Sequence, residues 1–254
     1  MPDLFDKRVL GVTLARGGST GIPYKNIAPI NGIPLISYTI AEALSSHMLS
    51  RYIISTDDTI IAEVASAYGA EVPFSRPAHL ATDSATSADA LRHAVHWAED
   101  DDGKPFDYIV YLMCTNPMKT VDDIDGAISK LIRTDADSVI GVSQLKDNHP
   151  CRVKQVVDDN IKELGPQEVI GTRRQDLRPK AFIRNGSIYA IRRDSLMKDG
   201  LRYGHADSRP WIMPKAKSIN IDDSLDLRLA EVILSEEPRK HLIEIARQVG
   251  DLPG

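Results

Sequence analysis

Residues 14–26 read LARGGSTGIPYKN, and they follow an apolar stretch, VLGVTLA, at 9–15. Arg16 and Lys25 bracket a run of glycines and small residues. Glycines allow positive φ and let backbone N–H groups approach an anion closely. A guanidinium grips paired oxygens through its fork, and an ammonium adds a mobile point charge. The combination suits a triphosphate; the plain alternative is a flexible loop with two solvated charges. The spacing is not that of a P-loop, because no Lys-Ser or Lys-Thr follows a suitable glycine, nor that of the dinucleotide fingerprint G-x-G-x-x-G.

A second candidate lies far along the chain, in SINIDDSLDL at 218–227. Asn220 and Asp222 are one residue apart, so on a strand end they face the same way and present their side-chain oxygens on one side. Asp223, as the adjacent residue, points elsewhere. The alternative is that Asp222 and Asp223 only cap the helix that follows. Between the two stretches lies a basic cluster, RRQDLRP, with Arg173, Arg174 and Arg178. Taken by itself it reads as a solvated face or a subunit contact. A single histidine beside a proline, such as His149, is more often structural, and it takes no chemical role here.

These residues need a scaffold, and the patterning supplies one. Continuous apolar runs at 9–15, 51–57, 107–115 and 137–145 read as strands covered on both faces. Helical patterns at 34–47, 57–69, 84–100 and 120–133 alternate with them. This rhythm predicts an α/β fold with a doubly wound, mostly parallel sheet. A glycine-rich turn at the carboxyl end of its first strand is where such sheets bind nucleotides. The rhythm breaks at 146–181, a polar, turn-rich excursion in which VKQVV and NIKEL suggest a short hairpin across Asp158, Asp159 and Asn160. Residues 181–193 and 215–223 are expected to return strands to the sheet, followed by helices at 224–237 and 238–250. The organisation is therefore a core formed by 1–145 and 182–254, with 146–181 inserted.

The bulk properties are compatible with this. The chain has 254 residues, 42% of them hydrophobic and 26% charged, and a net charge of -5. An acidic balance argues against nucleic acid as the main partner. Cys114 and Cys151 are the only cysteines, too few for a disulfide scaffold, and a reducing cytoplasm is expected. No apolar run approaches the length of a membrane span, so no membrane partner is expected.

With these readings in place, a family resemblance is visible. R-G-G-S-x-G-I-P-x-K-N resembles the signature loop of the acylneuraminate cytidylyltransferases. ISTDD (54–58), RPAHLATDSATSADALRHAV (76–95), LMCTNPMKTVDDID (112–125), RNGSIYAIRR (184–193) and WIMPKAKSINIDDSLDL (211–227) resemble further blocks in the family order. Together they span 9–232. The family makes CMP-activated sialic acids and related nonulosonic acids, and the CMP-Kdo synthetases are relatives. The resemblance implies a Rossmann-like nucleotidyltransferase that takes CTP, a 3-deoxy-2-keto sugar acid and Mg²⁺. It also implies a homodimer formed through the excursion.

Carried over position by position, it implies nucleotide contacts from Ala15, Arg16, Gly17, Ser19, Asn26, Arg76 and Ser87, with Arg16 and Lys25 as the catalytic charges. It implies sugar contacts from Met113, Arg174, Asn185 and Tyr189, and a metal held by Asp222 with Asn220. Arg174 is the candidate for the substrate carboxylate, although Arg173 and Arg178 compete for that alignment. The sequence also departs from the family. Thr20 stands where the family has a lysine, Asn220 where it has an acid, Met113 where it has a glutamine, and Lys119 where it has an arginine. Lys119 and Lys217 are the lysines that could restore the missing charge. A transferase for another nucleotide or sugar, or a non-catalytic nucleotide-binding homologue, are the competing readings.

Overall fold

The computed structural model describes residues 6–19, 21–166, 173–203 and 206–250. Ten strands and seven α-helices occur among them. In chain order they are β1 (Val9–Leu14), β2 (Pro29–Ile30), β3 (Ile33–Pro34), α1 (Leu35–Leu44), β4 (Arg51–Ser55), α2 (Thr59–Ala67), α3 (Ser87–Asp102), β5 (Tyr108–Leu112) and α4 (Val121–Thr134). There follow β6 (Ser138–Gln144), β7 (Lys154–Val157), β8 (Asn160–Glu163), β9 (Phe182–Arg192), α5 (Arg193–Met197), β10 (Ser208–Ile212), α6 (Ser224–Glu236) and α7 (Lys240–Val249).

Six strands form one sheet in the order β10-β6-β9-β5-β1-β4. β1 is parallel to β4 and β5, and β10 is parallel to β6. β9 runs antiparallel to both of its neighbours, β5 and β6. The sheet is therefore mostly parallel, as the alternating pattern predicts, with one reversed strand near its middle.

Both faces are covered, for the reason the continuous apolar runs suggest. Along β5 the side chains alternate. Tyr108, Val110 and Leu112 join one buried cluster with Ile36, Ile124 and Leu131, while Ile109 and Tyr111 join the other with Leu91 and Val95. Helix starts follow their caps. Asp58 accepts the N–H of Ile61 at 3.0 Å at the head of α2, and Thr86 accepts that of Asp89 at 3.1 Å at the head of α3. Asp223 accepts from Leu225 and Asp226, at 2.8 and 3.0 Å, at the head of α6. Asp223 is thus used as a cap, and the alternative reading of Asp222–Asp223 holds for that residue alone.

One expectation fails. Residues 215–223 are not a strand. The strand in this region is β10, seven residues earlier, and it carries Pro210. A proline cannot donate to a ladder, which hides such a segment in the sequence; it is tolerated because β10 is an edge strand. After β10 the chain makes a 3₁₀ turn at Lys215–Lys217 and crosses the rim of the sheet. It is pinned there by buried Ile221, whose N–H donates to the carbonyl of Thr115 at 2.8 Å.

The hairpin within 146–181 forms as expected. β7 and β8 make a separate two-stranded sheet, turned by Asp158 and Asp159 at positive φ.

Candidate active site

The carboxyl ends of β1, β4 and β5 share one rim of the sheet, and a cavity of about 500 Å³ opens over them. Arg16, Ser19, Lys25, Asn26, Arg76 and Ser87 all line it. Ala15 is buried beneath the loop, with its N–H donating to the Ser55 carbonyl at 3.0 Å. Thr20 lies outside the described residues.

Gly17 and Gly21 act through their lack of a side chain, not through positive φ, which none of Gly17, Gly18 and Gly21 adopts; Gly18 faces open space. A Cβ on Gly17 would sit 2.6 Å from the Asp58 carboxylate, and one on Gly21 would sit 2.6 Å from the Asp222 carbonyl. The loop is therefore pressed against the head of α2 on one side and against the 213–223 crossing on the other.

The charges of this cavity are individually placed. The Arg16 guanidinium reaches residues 82–83, pairing with Asp83 at 2.8 Å and donating to the Thr82 carbonyl at 3.2 Å. The Lys25 ammonium donates to the Ile221 carbonyl at 2.9 Å and to Asp222 at 3.1 Å. Arg76 is buried; it donates to the Ser55 hydroxyl at 3.1 Å and also to the Ser55 carbonyl. Burial holds its pKa below the usual arginine value. It ties the 76–80 segment to the end of β4 as well as facing the cavity. The Asn26 amide is buried, donating to the Arg16 carbonyl at 2.9 Å and accepting from the Cys114 thiol at 3.1 Å.

The Asn220–Asp222 pair meets, but not as two outward oxygens on a strand. The Asn220 amide donates its N–H to Asp222 at 2.6 Å, and its oxygen accepts the Thr115 hydroxyl at 2.6 Å. Asn220 therefore orients Asp222, and its own oxygen is taken. Asp222, with a side chain 69% exposed, is the carboxylate left facing the cavity.

Met113 lines this cavity and also a second one of about 440 Å³. Asn185, Tyr189 and Asn220 line the second, together with Arg184 and Arg202. Asn185 is buried and latched, donating to the Ser218 hydroxyl at 3.0 Å. Arg174 is not brought to either cavity within one chain. It pairs with Asp147 at 3.1 Å and lines a separate space of about 340 Å³ with His149 and Lys180. His149 is buried, its Nε2 2.8 Å from the Pro179 carbonyl, in keeping with a structural role.

Neither lysine proposed to restore charge reaches the first cavity. Lys119 is fully buried and donates to the Thr39 hydroxyl and the Met113 carbonyl, each at 2.8 Å, and to the Asn116 carbonyl. Burial brings its pKa down to about 7. It anchors the 113–116 loop from below. Lys217 donates to Asp123 at 2.8 Å and to Thr120 at 3.0 Å, at the head of α4. Burial works against ionising Asp123, but the bonds from Lys217, Thr120 and Trp211 hold its pKa below the usual carboxylate value.

Sequence reasoning missed Tyr111, Cys114, Thr115, Arg184 and Arg202 at these two cavities. The first three lie on or just past β5, so its carboxyl end was a usable signal. Arg184 opens the RNGSIYAIRR block, which was a signal too, whereas Arg202 carried none.

Residues 10–203 match the family model described as cytidylyltransferase. The chain is 32% identical, over 89% of its length and 95% of the relative's, to a CMP-N,N'-diacetyllegionaminic acid synthase of Campylobacter jejuni. It is 30% identical, over 86% of its length and 93% of the relative's, to a pseudaminic acid cytidylyltransferase of the same species. Among solved structures, a CMP:2-keto-3-deoxy-manno-octonic acid synthetase complexed with CTP superposes with a TM-score of 0.68 at 19% identity, over 91% of this chain and 99% of that one. The family match covers the glycine loop, the β5 rim and β9, which line the two cavities together with residues 218–222 beyond it, and on these grounds the chain belongs to the cytidylyltransferase family of nucleotidyltransferases.

Proposed function

We propose that this enzyme transfers the cytidylyl group of CTP to a nonulosonic acid, giving the CMP-sugar and pyrophosphate. The observation that carries the reading is the pair of cavities sharing Met113, one ringed by Arg16, Lys25 and Asp222, the other polar and beside it. The named relatives act on legionaminic and pseudaminic acids, sugar acids of this class. CTP would occupy the first cavity and the sugar acid the second. The C2 hydroxyl of the acid attacks the α-phosphorus, the bond to the bridging oxygen of the β-phosphate breaks, and pyrophosphate leaves. Arg16 and Lys25 would neutralise charge developing on the phosphates, and the rigid rim would align the two substrates.

Mg²⁺ fits this site through Asp222. No cluster of three or more His, Cys, Asp or Glu able to hold a metal occurs among the described residues. A single carboxylate completed by phosphate oxygens and water is nonetheless a usual Mg²⁺ arrangement. When bound, the ion would supply further charge neutralisation on the triphosphate. Lys25, now on Asp222, would then be released toward the phosphates.

A homodimer is part of the proposal. Val156 and Ile161 on the hairpin are 72% and 76% exposed, and Ile183 at the start of β9 is 52% exposed. Val156 and Ile161 are cross-strand neighbours, and such exposed apolar side chains suit a partner surface. Light scattering at micromolar concentration should give twice the chain mass; a monomer removes this part. No helix among the described residues is long and apolar enough to cross a membrane. Both cysteines are buried free thiols, which suits the reducing cytoplasm.

The test is pyrophosphate release with Mg²⁺, each of the four nucleoside triphosphates being paired with a panel of 2-keto-3-deoxy sugar acids. Release with CTP and one acid is expected. Release only with another triphosphate would reassign the nucleotide. Silence with CTP binding retained would favour a non-catalytic role, and Thr20→Lys with Asn220→Asp would then show whether the lost charges are the reason.

A further inference from the structure

The second cavity contains two guanidiniums that the residue carry-over did not include. Arg184, on β9, lies over the Tyr203 ring at 4.3 Å from its centroid. Arg202 lies 5.5 Å from the same ring's centroid and 5.3 Å from that of Tyr189. Tyr189 in turn stacks on Tyr111 with centroids 5.8 Å apart. The rings hold the two flat cations in place through their faces.

Neither arginine makes an ion pair with a carboxylate among the described residues, and no Asp or Glu lines the cavity. Two positive charges therefore share one aromatic platform without a counter-charge. Such a pair is suited to bind an anion.

Its position decides which anion. The Arg202 guanidinium also donates to the Ser87 hydroxyl at 3.3 Å, and Ser87 lines the first cavity. Arg202 thus stands on the boundary between the two spaces. In a 2-keto sugar acid the carboxylate is on the carbon adjacent to the attacking C2 hydroxyl. When that hydroxyl points at the α-phosphorus, the carboxylate must lie at the same boundary. We infer that Arg202, with Arg184 behind it, receives the carboxylate of the sugar acid and so fixes which face of C2 is presented to the nucleotide. This inference rests on the sugar-acid reading above. It moves the carboxylate role from Arg174, which lies in a separate space on the same chain, to a pair joined to the site itself.

The experiment is a binding cycle by calorimetry on the full chain loaded with CTP in EDTA, so that affinity is read instead of turnover. The probes are N-acetylneuraminic, N,N'-diacetyllegionaminic and pseudaminic acids, each also as its neutral methyl ester. The wild type should prefer the best-bound acid over its ester by about tenfold or more, as a charge-assisted contact predicts. In Arg202→Ala that preference should shrink to near unity, with CTP affinity within about twofold of wild type. Arg202→Met, which keeps an apolar stem on the rings, should behave the same way and controls for misfolding.

An acid-over-ester preference that survives both substitutions overturns the inference. So does a large loss of CTP affinity with the preference intact, which would give Arg202 to the phosphates. If the wild type binds CTP but none of the acids, the inference falls together with the substrate reading. That result differs from the others because it appears before any substitution.

Discussion

The two cavities on either side of Met113 are built on opposite principles. In the first, each basic group already has a protein partner: Arg16 holds Asp83, Lys25 holds Asp222, and Arg76 is bound to Ser55. In the second, Arg184 and Arg202 are held by aromatic faces and have no carboxylate partner among the described residues. The first is therefore set against its own acids, so a polyanion or metal must exchange partners on entry. The second holds uncompensated charge. A site that handles a constant ligand can be built from prearranged exchanges. One that selects among sugar acids gains from groups whose pairing is completed only by the right ligand.

The largest way to break this comparison is at Lys25. Lys25→Ala should lower the rate of pyrophosphate release by about 100- to 1000-fold with folding kept, the range seen when one charge-stabilising donor is removed. Turnover left intact in a single-turnover assay would take Lys25 out of the chemistry and leave it as a support for Asp222. Next comes the close contact between the loop and the crossing. Gly21→Ala forces a methyl against the Asp222 carbonyl, 2.6 Å from where it would stand. This should destabilise by about 1–3 kcal/mol and weaken CTP binding, read by thermal denaturation and calorimetry. Unchanged values would mean that the loop yields freely.

Lys119 sharpens the comparison from below, because it holds the 113–116 loop that both cavities share. Its pKa is about 7 in the folded chain against an ordinary 10.5. Between those values the unfolded chain binds a proton that the folded chain lacks, so the contribution of this group to stability rises with pH. The slope is at most about 1.4 kcal/mol per pH unit. Urea denaturation at pH 7 and 9 should show wild type gaining stability relative to Lys119→Met. Parallel behaviour would mean that its three acceptors keep the lysine charged. The smallest expected effect is at Met113→Gln. A thioether cannot give the hydrogen bonds of an amide. The substitution should alter the ranking of sugar acids by a few-fold, on the order of one hydrogen bond, without changing the KM for CTP. A shift in the KM for CTP instead would mean that Met113 acts on the nucleotide and not on the choice of acid.

The same contrast explains what could be read in advance. Arg16 and Lys25 bracket one continuous turn after one apolar strand, so type and placement singled them out, while Ser19 and Asn26 in the same turn followed from the family resemblance. The alternation of covered strands with helices gave most of the sheet for a similar reason, since both signals are local. The second cavity draws on residues 113, 143, 183–189, 202 and 218–220, which meet only because β9 lies between β5 and β6. Arg202 looks like any surface arginine until the rings beneath it are placed. The missed strand, β10, carries a proline that local patterning penalises and an edge position excuses. The pairing of Asn220 with Asp222 was visible as spacing, but the direction of the amide depends on Thr115, more than a hundred residues away.

The reversal of β9 has one more consequence. β6 ends at the rim where the other parallel strands end, and β9 begins there, Gln144 opposite Phe182. The chain leaves β6 and enters β9 at neighbouring points of one rim. That makes this junction a natural splice point. Modules could be lengthened, exchanged or grafted between Gln144 and Phe182 while the ladders on both sides of β9 stay in register. Each exchange would place new side chains beside the cavity proposed to take the sugar acid, so a lineage could change what it recognises without rebuilding how it reacts.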